Sequence, residues 1–179
     1  YGTITKQKVA TGADMVSYSG WSTSNHFIQA YTDKLDFGTG DFCYMYWMNP
    51  NESSSGKTIF SRSDRDVQSN GTNSTYIMNY FNGEDLRVDL SAAGVGYQGF
   101  QNSGGPNREI FKTWMLVCIV KRGDLLEIWI NGRREYAHAL NDDQRGKSFS
   151  ASNSILRIRH DANTASPDSD IELALFRAG

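Results

Sequence analysis

Helical periodicity is hard to find anywhere in this sequence, and the residues that build the commonest catalytic and metal centres are scarce. Only two cysteines occur, Cys43 and Cys118, with no Cys-x-x-Cys and no histidine at ligand spacing. That count excludes a zinc site. Both cysteines sit in strand-like runs, "DFCYMYW" and "WMLVCIV", where a small buried thiol is the simpler reading and a disulfide the alternative. Free thiols are expected. The three histidines, His26, His138 and His160, are scattered along strand ends and form no constellation with a nucleophile. Apolar stretches such as "WMLVCIV" at 114–120 are far too short to cross a bilayer, so membrane insertion is not expected. A net charge of −2 makes no broad electrostatic case for nucleic acid. No secretory leader or lipidation motif is expected at either end. The start on Tyr1 rather than methionine is expected of a piece of something longer.

What the chain does have is short runs rich in β-branched and aromatic residues, separated by Gly, Asn, Ser and Asp clusters. The candidate strands are 26–31, 41–48, 57–62, 75–81, 85–90, 95–100, 114–121, 125–130, 134–138, 155–160 and 171–176. In "DLRVDL", Leu86, Val88 and Leu90 face one way while Arg87 and Asp89 face the other, the alternation of a half-buried strand. Many short strands at regular spacing with hardly a helix predict an all-β, two-sheet antiparallel sandwich or jelly roll. A chain of 179 residues is enough for one sizeable core and short for two domains. Residues 1–23 are less strand-like and are expected to form an arm or linker, with the domain over 24–179.

Several segments line up in one order. "FGTGDFCYMYWMNP", "TIFSRSD", "WMLVCIVKRGDLLEIWINGRREYA", "LRIRHDA" and "IELALFRAG" together resemble laminin G-like domains, part of the concanavalin A-like lectin and glucanase superfamily. The opening "VATGADMVSYSG" followed by "SNHFIQAYTDKLDFGTGDF" is similar to segments that introduce such domains in phage tail and virion proteins. The resemblance implies a two-sheet antiparallel jelly roll whose relatives mostly bind glycans or proteins, some with calcium, while a minority hydrolyse polysaccharides. It places the chain on a virion (a phage tail) or an extracellular surface. The expected partners are a glycan or cell-surface receptor and other virion or surface subunits, with a homo-oligomer compatible.

The chemistry within that frame favours binding over hydrolysis. Retaining glycosidases need two carboxyl groups about 5–5.5 Å apart, and the nearest match is "DSDIE", where Asp168, Asp170 and Glu172 alternate. Its first acid is a short aspartate at the very end of the domain, so these acids are not expected to be catalytic. For calcium, which takes six to eight oxygens, the candidate ligands are Asp64 and Asp66 in one loop and Asp161, Asp168 and Asp170 in another. Solvated turn acids are the simpler reading. Candidate ligand-binding residues are Tyr76, Tyr80, Tyr97, Phe100, Trp129, Arg134 and Tyr136. Tyr97 and Phe100 lie in "GVGYQGF", where glycines let a ligand approach closely. Each aromatic has core packing as its alternative. Three functions follow: a non-enzymatic lectin-like recognition domain, a structural jelly-roll module making subunit contacts, and, least favoured, a glycoside hydrolase.

The hairpin "DLLEIWINGRREY" allows a sharper expectation. A two-residue turn at Asn131-Gly132 sets Ile130 opposite Arg133, Trp129 opposite Arg134 and Ile128 opposite Glu135. Leu126, Ile128 and Ile130 then face the core. Leu125, Glu127 and Trp129 form an outer face, paired with His138, Tyr136 and Arg134, with the guanidinium of Arg134 lying against the indole.

Overall fold

The run Phe42–Pro50 alternates buried and half-buried residues without a break, and Met115–Val120 does the same. These two strands pair antiparallel, from Phe42 opposite Lys121 to Met48 opposite Met115. A sheet with one face in the core imposes this period of two. The computed structural model describes residues 4–8, 10–12, 14–22, 24–50, 58–63, 75–82, 85–92, 95, 98–101, 112–150, 154–159 and 171–179, with the backbone alone at 76, 78, 80–82 and 101.

In chain order the strands are β1 (Thr5–Lys8), β2 (Val16–Ser19), β3 (Phe27–Gln29), β4 (Phe42–Pro50), β5 (Thr58–Ser63), β6 (Tyr76–Asn82) and β7 (Asp85–Ser91). There follow β8 (Gln98–Gln101), β9 (Met115–Arg122), β10 (Leu125–Ile130), β11 (Arg133–Ala139), β12 (Ile155–Ile158) and β13 (Ile171–Ala178). A single 3-10 turn at Asp33–Leu35 is the one helical element among the described residues. None of them forms a helix long and apolar enough to cross a membrane. The strands make two antiparallel sheets, ordered β1-β2-β13-β4-β9-β10-β11 and β3-β12-β5-β6-β7-β8. This is the expected two-sheet sandwich. The segment read as an arm supplies β1 and β2, and β2 joins the seven-stranded sheet through Leu173 opposite Tyr18.

The core between the sheets is strongly aromatic. Tyr44 stacks on Phe60 with centroids 4.4 Å apart, and Phe176 packs on Tyr44, Tyr46 and Phe60. The polar ends of these rings need partners, because an unmatched buried hydroxyl costs about 1–3 kcal/mol. Tyr46 answers this by donating to Asn79 Oδ1, and Asn79 Nδ2 donates to the Arg87 carbonyl at 2.9 Å.

The two lateral edges of the sandwich differ. Where β11 faces β8, the gap is closed: the Phe100 ring meets Tyr136 and His138 edge-on, each at 6.4 Å. Gln98 Nε2 donates to the Ala139 carbonyl at 3.2 Å, and Asn141 N–H donates to Gln98 Oε1 at 2.6 Å. Where β2 and β13 face β3 and β12, a cavity remains between the sheets.

Candidate functional site: two outer faces of the sandwich

The hairpin turn forms as its sequence dictates. Asn131 and Gly132 take φ of 51° and 81°, the two positive values a type I′ turn requires. Asn131 also ties the turn to β9, with its Oδ1 accepting from Leu116 N–H at 2.9 Å. Ile130 pairs with Arg133 and Trp129 with Arg134, but Ile128 pairs with Tyr136. A β-bulge leaves Glu135 without an opposite residue. An extra residue on one strand inverts every side chain beyond it. Tyr136 and His138 therefore turn inward, opposite Ile128 and Leu126, rather than joining the outer face.

Leu126, Ile128 and Ile130 are buried, as expected, and Trp129 is half-buried on the outer face. Arg134 does not lie on the indole as its main contact: its Nη1 donates to Glu127 Oε1 at 3.1 Å. Glu127 is only 1% exposed although it points away from the core. Its carboxylate also accepts from Arg122 Nη2 at 3.2 Å and from Trp129 Nε1 at 3.4 Å. Burial alone pushes its pKa up, but the hydrogen bonds from Arg134 and Trp129 and the two guanidinium charges outweigh this and hold it below the ordinary value. Around this clasp the outer face of the seven-stranded sheet is apolar. Cys43, Met45 and Trp47 on β4, Leu116, Cys118 and Val120 on β9, and Leu125 with Trp129 on β10 are all half-buried.

Both cysteines are free thiols. They face out of the sandwich, half-buried rather than in the core, because Phe42, Tyr44, Val117 and Ile119 hold the inward positions. Burial raises the pKa of each. Glu172 lies in β13, where its Oε1 accepts from Gln7 Nε2 at 2.8 Å and its Oε2 from Ser17 Oγ at 3.4 Å. That carboxylate is engaged by the first two strands.

The six-stranded sheet presents the opposite chemistry. One register row crosses it from Arg157 on β12 to Ser61, Met78, Asp89 and Gly99. Arg87, two residues before Asp89, shares its face and donates from Nε to Asp89 Oδ1 at 2.7 Å. Ser61, Asp89 and Arg157 are nearly buried, while the Arg87 side chain is 24% exposed. Gly99 leaves room for this arrangement: a Cβ there would meet the Arg87 guanidinium and stand 2.8 Å from Asp89 Oδ1, so the Arg87 side chain would have to shift.

Of the remaining sequence candidates, Tyr76 and Tyr80 are placed in β6 by their backbones, opposite Ser91 and Arg87. Phe100 is fully buried and packs at the closed edge. Tyr136 packs there with it, turned inward by the bulge. Tyr97 and the aspartates Asp64, Asp66, Asp161, Asp168 and Asp170 lie outside the described residues. Among the described residues no group of three or more His, Cys, Asp or Glu gathers to hold a metal ion. The polar row went unnoticed in the sequence as a site. Its signal was the alternation of "DLRVDL", but only strand order shows that Ser61 and Arg157 align with Asp89.

Comparison with known proteins agrees with this architecture. A family model described as the concanavalin A-like lectin/glucanases superfamily matches residues 22–170. No curated protein shows a significant sequence match to the chain. Among solved structures, the binding domain of Paraclostridial Mosquitocidal Protein 1 superposes with a TM-score of 0.69 at 9% identity, over 98% of this chain and 41% of that one. The receptor binding domain of botulinum neurotoxin D gives 0.68 at 11% identity, over 97% and 42%. The botulinum neurotoxin serotype D ligand binding domain in complex with N-acetylneuraminic acid gives 0.67 at 10% identity, over 97% and 40%. The chain thus spans about two fifths of the length of these structures, and at such identities the likeness is one of fold.

Proposed function

Because the chain belongs to the concanavalin A-like lectin/glucanases superfamily, we propose that it is a non-catalytic, lectin-like recognition domain of a phage tail, virion or other surface protein, binding a glycan on the outer face of its six-stranded sheet. One observation carries this reading: Arg87, part-exposed on that face, is held by the buried Asp89 beside it, in line with the buried Ser61 and Arg157 and next to Gly99. A glycan presents hydroxyls that each accept, and a guanidinium held in one orientation by a buried carboxylate offers them fixed donors. The similar toxin domains are named for binding, one with a sialic acid bound, which supports recognition over turnover. The engaged carboxylate of Glu172 supports the same side, since general acid or nucleophile work needs that group free at a cleft.

The test is a glycan array on the wild-type domain and on Arg87→Ala, with and without a chelator. Binding that falls at least about tenfold in the variant, the loss expected of a charged hydrogen bond, supports the reading. No glycan signal, or signal indifferent to Arg87, removes it. Loss of signal on chelation would assign calcium, held by the loop aspartates, to the same function.

The second reading is a structural module making subunit contacts, favoured by the apolar outer face of the seven-stranded sheet. A continuous apolar patch on a domain surface marks an interaction site. Sedimentation of the wild type against Trp47→Glu distinguishes the two, since a subunit interface on that face dissociates in the variant and a monomeric lectin is unchanged.

A further inference from the structure

The open edge of the sandwich encloses a cavity of about 480 Å³. Its walls are the inner faces of the two sheets: Val16, Tyr18 and Leu173 on one side, Phe27 and Ile158 on the other. Phe176 forms the floor, where its ring joins the aromatic core. At roughly 30 Å³ for each water-sized group, the space holds about fifteen such groups. The space opens to solvent at the mouth, and its size is in the range of small-molecule sites.

Two further observations mark it as a site. Leu175, on its rim, has φ of +47° at the β13 bulge, a strained conformation for a bulky residue. The strained backbone carries a side chain 43% exposed, and Phe27 opposite is 37% exposed, so the mouth is apolar on both sides. The lining has few polar groups to offer. The indole N–H of Trp21 is already donated to the Ile171 carbonyl at 2.8 Å, which leaves Asp14 and Tyr18 as the other polar side chains of the lining. A sugar buried here would leave hydroxyls without partners, whereas methylene groups gain by leaving water.

We propose that this cavity binds a medium-length alkyl or acyl chain carrying a neutral or cationic head group. The chain lies between the sheets and the head stays at the mouth, where the exposed carboxylate of Asp14 disfavours an anionic head. The site is separate from the polar row of the six-stranded sheet and stands whether or not that row binds a glycan.

The experiment titrates 1-octanol and octanoate into the folded domain and follows methyl and indole signals by NMR. Saturable shifts at Val16, Leu173, Leu175 and the Trp21 indole are expected, with octanol the tighter ligand. Leu175→Arg sets a charge at the mouth and is expected to weaken octanol by about tenfold or more, the cost of burying or displacing it, with an unchanged circular dichroism spectrum. Should that variant not fold, Phe27→Ser serves in its place with the same expectation. Shifts that do not saturate, saturable shifts confined to the outer faces, octanoate binding as tightly as octanol, or unchanged octanol affinity in the folded variant would each overturn the proposal.

Discussion

The two edges of this sandwich solve the same problem in different ways. Both must bridge a gap between sheets where strand pairing stops. At the β8–β11 edge the solution is a fully buried Phe100 under Tyr136 and His138, sealed by Gln98 against the Ala139 carbonyl and the Asn141 amide. At the β2/β13–β3/β12 edge, Phe27 and Leu175 stay partly in water and a cavity lies behind them. Aromatic rings stand at both edges. What separates them is backbone irregularity: one bulge, at Glu135, turns Tyr136 inward to close its edge, and the other, after Ala174, leaves Leu175 outward and its edge open.

The largest expected effect tests the packing difference directly. Phe100→Ala should cost about 3–5 kcal/mol in urea unfolding, as for a fully buried ring. Phe27→Ala at the open edge should cost about 1 kcal/mol, because much of its ring already meets water. Equal losses would show that the open edge is as tightly packed as the closed one.

A smaller effect concerns the fastening of β11 to β10. Glu127→Gln removes the charge that Arg122 and Arg134 share and should cost about 1–3 kcal/mol at neutral pH. Because the folded-state pKa of Glu127 lies below its ordinary value, the clasp contributes fully above the unfolded carboxyl pKa of about 4.3 and is lost as pH falls through the lower folded value. The gap between wild type and variant should therefore close in acid. A gap that stays constant from pH 7 to pH 3 would mean that the carboxylate does not stabilise the hairpin.

The smallest effect is the most discriminating about the bulges. Leu175→Gly relieves a positive φ while losing a side chain that is only partly buried, two effects of opposite sign, so the change should stay within about 0.5 kcal/mol. The same substitution at Leu126, buried in β10, should cost about 2–5 kcal/mol. A large loss at Leu175 would place its side chain in a packed role.

Much of the fold was legible because its signals are local. Each of the eleven strand-like runs overlaps a strand of the structure, and Asn131-Gly132 forms its turn where the residue types require positive φ. The short strands β1 and β2 were not legible, since "TKQK" has no apolar residue and the alternation of "VSYS" is too short to stand out; they exist as strands through pairing with each other and with β13. Glu135 gave no sign of its bulge, so the face of Tyr136 came out reversed while that of Trp129 came out right. The candidate sites were less legible still. Trp21 and Phe27 meet across the mouth of the cavity, edge-on at 5.2 Å, yet nothing in their spacing connects them to Leu173 or Leu175.

The amino-acid sequence by itself determined the all-β class, the hairpin turn and the inward set Leu126, Ile128 and Ile130, because periodicity and turn chemistry act over a few neighbouring residues. Only the tertiary structure decided which rows align across strands, where each bulge inverts a face, and which edge stays open. Those features depend on register between segments as far apart as Tyr18 and Leu173, and register is set by how two whole faces fit together.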